Sequence, residues 1–496
     1  MSGDDASGVR VPAGPEIHET HTGIVALVGD RAYKVKKCIR TDFLDFSGVE
    51  QRERACRHEV ELNRRLAPQA YLGVAHLSDV ADGPAEPVIV MRRYADRDRL
   101  STRVQRGVSV DDELRSIAEV LARFHAGADR GADIDADATP TRVEQRWRDN
   151  LVELHGYAPT LLPAAAVDQV ERLCAEFLAG RAALFAERIA THRIVDGHAD
   201  LLADDIFCRP EGPVLLDCLE FDAALRHVDG IDDAAFLAMD LEFLGRGDLA
   251  AAFLDHYRRA AQDPAPPSLV HFYIAYRAVV RAKTDCIRAQ QGRAEAAADA
   301  RRHLDLAVEH LRAGAVRLIL VGGGPGTGKT TLARGLSGHL QAEVISTDDV
   351  RRELVRDGVL TGQAGALSSG LYSPEQVEKV YDAVLDRAAR LLGAGQTVIL
   401  DGTWRDPHHR ARARELAELM HCRSVEFACT LPLAEAEARI EGRRHTTSDA
   451  TPGIAAALAV STAEHDGAWD GAHRLDTGRP LGDTIAEAHE ICCLAI

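Results

Sequence analysis

The apolar positions change period several times along this chain. GIVALVGDRAYKVKK (23–37) alternates over two short runs joined at Gly29-Asp30, which predicts two strands and a tight turn. Helical spacing follows from about Gly48 to Leu66. PVIVMRRY (87–94) predicts a strand, and residues 111–125 predict an amphipathic helix. Residues 127–141, rich in Ala, Asp, Gly and Thr, predict a loop, and helices are expected over roughly 142–190. HRIVDGHADLLADDIFCRPEGPVLLDCLEFD then carries two short apolar runs between polar turns, and residues 232–312 are mostly helical in pattern. Near residue 315 the texture changes. VRLILVGGG predicts a buried strand entering a Gly loop, and AEVIS, QTVILDG and RSVEFACT alternate with helical segments. That rhythm predicts a parallel sheet covered on both faces. The expected fold is therefore α/β overall, with a domain boundary near Gly314.

Composition narrows the classes. Of 496 residues, 46% are hydrophobic and 27% charged, which are globular values that exclude a disordered or fibrous chain. The net charge is -18 and both halves are acidic, so neither offers a broad electrostatic footprint for nucleic acid or anionic lipid; a short nucleic-acid end stays open. Lys occurs only at 34, 36, 37, 283, 329 and 379, so each lysine is a better candidate than usual for a point-charge role. The ten cysteines lack a CxxC pair, and no run approaches the length of a membrane span. The expectation is a cytoplasmic protein in a reducing compartment.

The strongest motif is GGGPGTGKTT (322–331), which fits G-x-x-x-x-G-K-[ST] between a strand and a helix. Gly323, Gly324, Pro325, Gly326, Thr327, Gly328, Lys329, Thr330 and Thr331 form the candidate phosphate cradle. Its glycines let backbone N–H groups turn inward, and the following helix N-terminus adds its dipole. Lys329 suits the β/γ-phosphates of ATP, and the Thr330 hydroxyl suits Mg²⁺. Asp401 ends the next strand, where an acid can hold Mg²⁺ or its waters. Asp348 follows the second strand, where an acid can face a substrate hydroxyl; the rival reading makes Asp348 and Asp349 a helix N-cap pair. Arg439, Arg443 and Arg444 suit a lid closing over phosphates. Over roughly 315–465 these residues together resemble the small P-loop kinases of the gluconate kinase, polynucleotide kinase and zeta-toxin type. That resemblance implies Asp348 as general base and Arg351 as a clamp for an anionic group on the substrate.

The first half has no G-x-G-x-x-G loop. It offers Lys34 and Lys36 on one strand face, Glu59 on a helix, then His198, Asp200, Asp205 and Asp217. In a kinase-like fold a strand Lys braced by a helix Glu holds phosphates, an Asp accepts the hydroxyl proton, and two later ligands hold Mg²⁺. Lys34 is preferred to Lys36 as the phosphate ligand; Glu59 as an ordinary surface acid is the alternative. The spacing His198-x-Asp200, then Asp205, then Asp217 resembles the aminoglycoside phosphotransferase family. Where that family reads HGDLHxxNI, this chain has Ala199, Leu202 and Asp205 in place of Gly, His and Asn. Asp can still ligate Mg²⁺, but it adds charge beside Asp200 and Asp217. Asp229, Asp232 and Asp233 are expected to cap and brace helices. Arg277, Arg281 and Lys283 either line the cleft of this domain or form a solvated helix face.

ETHTGIVALVGDRAYKVKK, DFLDFSGVEQRE, VELNRRLAPQAYLGV, AFLAMDLEFLG and YRAVVRAK extend the likeness. They resemble a bacterial family joining a phosphotransferase-like domain to a P-loop (AAA family ATPase) domain. The resemblance implies a protein-kinase-like α+β domain over 17–313 and a P-loop domain over 315–496. Both would use ATP and Mg²⁺ on small hydroxyl-bearing substrates, sugar or aminoglycoside-like. The alternatives are a non-enzymatic ATP-binding protein with a pseudokinase first domain, and phosphorylation of a nucleotide sugar or nucleic-acid end by the second.

Overall fold

The computed structural model describes residues 16–19, 23–40, 45–78, 85–362, 370–442 and 469–494. Its first sheet has five antiparallel strands: β1 (Glu16–Glu19), β2 (Gly23–Val28), β3 (Arg31–Lys36), β4 (Tyr71–Leu77) and β5 (Glu86–Arg92), in the order β1-β2-β3-β5-β4. Gly29 takes φ +57° in the turn between β2 and β3, a conformation that suits glycine. Along β3 every second side chain is buried, so Ala32, Lys34 and Lys36 share the inner face. The helix Val49–Asn63 packs Cys56 and Val60 against Ala32, Ile89 and Met91, which brings Glu59 to that same face.

Beyond the sheet, β6 (Ile194–Asp196) pairs with β9 (His227–Asp229), and β7 (Ile206–Arg209) with β8 (Gly212–Leu215). These two ribbons frame the segments that carry Asp200, Asp205 and Asp217. The segment 127–141 differs from its loop expectation. It holds a short helix, Ala132–Ala136, and Pro140 opens the helix Pro140–Tyr157, where its missing N–H costs nothing.

The second sheet is wholly parallel. It comprises β10 (Arg317–Gly322), β11 (Glu343–Ser346), β12 (Val398–Asp401), β13 (Arg423–Thr430) and β14 (His473–Asp476), in the order β11-β12-β10-β13-β14. Alternation along β10 feeds two cores, with Leu318 and Leu320 on one face and Ile319 and Val321 on the other. Both faces are covered, so the strand reads as an unbroken apolar run.

The chain forms two compact units, Met1–Ala138 with His192–Asp263, and Thr139–Thr191 with Pro264–Ile496. Compactness therefore does not change at Gly314, where the chain enters the parallel sheet. The helices on either side of 191–264 belong with that sheet. Phe177 stacks on Phe272 at 4.3 Å between helices Ala164–Gly180 and Pro267–Gln290. The buried Arg181 donates to Leu392 O at 2.8 Å, and Ser268 Oγ donates to Gly395 O at 2.6 Å. Among the described residues no helix is long and apolar enough to cross a membrane.

Candidate nucleotide and acceptor sites

In the second unit, β10 delivers the Gly loop to the carboxyl edge of the parallel sheet. Gly326 and Gly328 both take φ +81°, and a Cβ at Gly326 would lie 2.5 Å from Ala436 O, so a side chain is excluded there. The helix Lys329–Leu340 starts directly after Gly328, with its free amides at the loop. Parallel pairing sets Val321 beside Asp401, and Ser346 beside Asp401 on the far side. Register thus gathers the ends of β10, β12 and β11. Thr330 Oγ1 donates to Asp401 Oδ2 at 2.8 Å, while the buried Asp401 Oδ1 has no hydrogen-bond partner. Burial raises the Asp401 pKa, opposed by Lys329 and Thr330. A buried carboxylate oxygen without a partner, next to a threonine hydroxyl, is a donor set that fits a hard cation such as Mg²⁺.

Asp348 lies in the first turn of the helix Thr347–Arg356. The N-cap position belongs to Ser346, which makes no capping side-chain bond, so Asp348 and Asp349 are not a cap pair. Asp348 Oδ1 instead accepts from Arg351 Nη1 at 3.0 Å, and Asp349 pairs with Arg352. The buried Arg351 guanidinium lies 4.5 Å from the centre of the Tyr372 ring. Arg439 donates to Thr477 O at 2.9 Å, and Thr477 Oγ1 donates to Thr327 O at 2.6 Å, which ties Arg439 to the Gly loop. Arg443 and Arg444 lie outside the described residues. Thr477 and Trp469, whose ring fills the space beside Gly322, had no sequence signal, because only folding brings them to the loop, as it brings Tyr372 to Arg351.

In the first unit, Lys34 Nζ stands 2.8 Å from Glu59 Oε1 and 2.6 Å from Asp217 Oδ1. Lys36 pairs with the other Glu59 oxygen and with Glu220. Glu59 is 0% exposed, which removes the surface-acid reading. Burial opposes the Lys34 charge, but Asp217, Glu59 and Glu220 outweigh it and hold its pKa well above the ordinary lysine value. Asp205 is pushed well up by burial and by Asp217, Asp200 and Asp204. Asp217 is held below its ordinary value, because Lys34 more than offsets its burial. Two facing carboxylates, one of them driven toward its neutral form, fit a divalent hard cation.

The loop carrying Asp200 is pinned from behind. Asp233 accepts the amides of His198 at 2.7 Å and of Ala199 at 2.8 Å, and meets His125 Nε2 at 3.0 Å. These bonds, with that to His125 the strongest of them, hold the Asp233 carboxyl far below its ordinary value despite burial. His198 Nε2 reaches Leu216 O at 3.0 Å and its Nδ1 accepts from the Asp200 amide at 3.3 Å; burial keeps the ring neutral, in an orienting role. Ala199 takes φ +65° and Asp217 φ +64°. Asp229 caps the helix Gly230–Phe243 as expected, but Asp233 does more than brace a helix, and Asp240 likewise accepts from Ala203 N at 2.8 Å. Arg277, Arg281 and Lys283 lie on the helix Pro267–Gln290 of the other unit, where Arg277 is buried and Lys283 pairs with Glu153 at 3.2 Å.

The AAA domain family matches residues 318–467, the stretch that holds the Gly loop, Asp348, Asp401 and Arg439. Nearly the whole chain is similar to the uncharacterized protein Rv2004c of Mycobacterium tuberculosis. The two are 54% identical over 481 residues, which cover 97% of this chain and 96% of that one. This chain belongs to the same family. This chain carries its P-loop domain in the C-terminal region. Among solved structures, a choline/ethanolamine kinase family protein from Mesorhizobium loti is 17% identical, covering 62% of this chain and 94% of its own, at a TM-score of 0.37. A gluconokinase from Sinorhizobium meliloti is 16% identical, covering 36% and 94%, at a TM-score of 0.29.

Proposed function

We propose that the protein is an ATP- and Mg²⁺-dependent phosphotransferase acting on a small hydroxyl-bearing substrate, with its main site at the P-loop. The carrying observation is the Thr330–Asp401 bond beneath the Gly loop, with the Asp348–Arg351 pair on the neighbouring strand end. Bound Mg·ATP would supply the phosphoryl group and neutralise its charge. The chain's own residues do the rest. Amides of 323–331 and Lys329 hold phosphate oxygens, and Thr330 and Asp401 hold the cation. Asp348 takes the proton of the attacking hydroxyl. Arg351, half free of Asp348, orients an anionic group on the acceptor, and Arg439 closes the loop side.

The first unit supports a second, feebler kinase site of the aminoglycoside phosphotransferase kind, with Lys34 braced by Glu59, Asp200 as base, and Asp205 and Asp217 for Mg²⁺. The direct Lys34–Asp217 bond favours low activity, because the cation occupies a carboxylate oxygen that a metal needs. The substrate is read as a diffusible small molecule met in the cytoplasm, without membrane or long nucleic acid. Mg²⁺-dependent ADP release across sugars, aminoglycosides, nucleotide sugars and a 5′-hydroxyl oligonucleotide tests this. Release with at least one acceptor, lost in Lys329→Ala, is expected. Tight ATP binding with no turnover on any acceptor would leave a nucleotide sensor instead.

A further inference from the structure

A third cluster lies on the helices Pro374–Gly393 and Pro407–Leu419, outside both candidate kinase sites. Glu378, His408 and His409 each offer one donor atom, and the three atoms lie within 4.8 Å of one another. Glu378 Oε1 stands 3.9 Å from His408 Nε2, and Glu378 Oε2 stands 3.8 Å from His409 Nδ1. These gaps are too long for hydrogen bonds. They are close to the separation of about 3.4 Å between neighbouring ligands of a tetrahedral zinc with bonds of about 2.0–2.1 Å.

His409 supplies the second observation. It is 5% exposed, and its Nδ1 is buried without a hydrogen-bond partner. An unpaired buried ring nitrogen is costly, and a metal ligated there would satisfy it. The ring is locked by Tyr381, stacked on it at 3.9 Å and 11°. His408 is exposed, which gives the cluster a path to solvent.

We propose that Glu378, His408 and His409 bind a divalent transition metal of the zinc class. Two imidazoles and one carboxylate favour such an ion over Mg²⁺ or Ca²⁺, which prefer oxygen ligands throughout. Arg412 donates to Glu378 Oε1 and, at 2.6 Å, to Asp382 Oδ1, which leaves Glu378 Oε2, 3.8 Å from His409 Nδ1, as the carboxylate oxygen for the metal. The positive charge of Arg412 beside the site weakens binding relative to a structural zinc. The metal would staple two helices whose packing includes Tyr381 and, through its edge contact at 5.0 Å, Trp404, three residues after Asp401. It thereby bears on the strand end that holds Asp401.

The test is calorimetric titration of the full chain with zinc chloride, at saturating Mg²⁺ so that all-oxygen sites are filled. One saturable equivalent is expected. His408→Gln, an exposed change with little effect on folding, and Glu378→Gln should each weaken it at least about tenfold, since even losing a partner behind a metal ligand costs about that much. Both variants should keep wild-type ATP affinity, and Co²⁺ should give visible ligand-field absorption in the wild type alone. No saturable zinc binding, or binding unchanged in both variants, overturns the proposal.

Discussion

Lys34 donates to Asp217 at 2.6 Å, a direct bond between the lysine of β3 and the acid that follows β8. The two groups that would hold phosphate and metal thus neutralise each other, and the Asp205 carboxyl beside them is driven toward its neutral form.

Lys34 and Lys36 should separate by readout. In a Lys329→Ala background, Lys34→Met is expected to abolish ATP binding by the first unit. Lys36→Met leaves Glu220 and one Glu59 oxygen without their cation in a buried place, and should cost about 3 kcal/mol in denaturant unfolding. The reverse pattern would make Lys36 the phosphate ligand.

Asp205 is expected to tolerate neutralisation. Asp205→Asn should preserve or raise first-unit turnover, because the burial and carboxylate repulsion that lift its pKa already disfavour its charge. Asp217→Ala should remove that turnover. Mg²⁺ dependence measured in the Lys329→Ala background decides it, and equal loss in both variants would show the Asp205 charge to be required.

Asp348 and Asp200 should act independently. Asp348→Asn is expected to lower P-loop turnover by roughly two to four orders of magnitude, the scale of general-base loss, with ATP affinity nearly unchanged. Asp200→Asn should leave that turnover intact. ADP release and ATP binding measured together test both, and normal turnover in Asp348→Asn would reduce its role to holding Arg351.

Ala199 is strained at φ +65°, where a Cβ costs about 1 kcal/mol or more. Ala199→Gly should therefore stabilise the first unit by about 1 kcal/mol, less a few tenths for the extra freedom of glycine when unfolded. An unfolding midpoint that does not rise would mean that the two Asp233 bonds already hold the loop without strain.

His271 carries an acid-sensitive term. Its Nδ1 meets His310 Nδ1 at 2.8 Å, and burial, with His310, lowers its pKa from 6.5 to about 4. Between those values the unfolded chain binds the proton and the native one does not, so stability falls as pH drops from 6.5 to 4 and levels off below. The loss is on the order of 3 kcal/mol. Unfolding of wild type and His271→Gln across that range should differ in slope; parallel curves would place the acid sensitivity elsewhere.

Local pattern carried much of this protein. The strand–Gly loop–helix of 317–340 was legible because a phosphate cradle needs glycines, a lysine and a threonine contiguous in the chain. The β3 alternation placed Lys34 and Lys36 on one face, since strand period is a local property. Tertiary structure alone decided which lysine meets Asp217, because both share the face and the choice depends on a partner 183 residues away. It also decided that Asp233 pins the His198–Ala199 loop, a role that a helix-start acid does not advertise. The compact units followed the same logic. A sequence shows where strand period replaces helix period, near Gly314, but which core the helices on either side of 191–264 join depends on side chains such as Phe177, Arg181 and Phe272 meeting partners far along the chain.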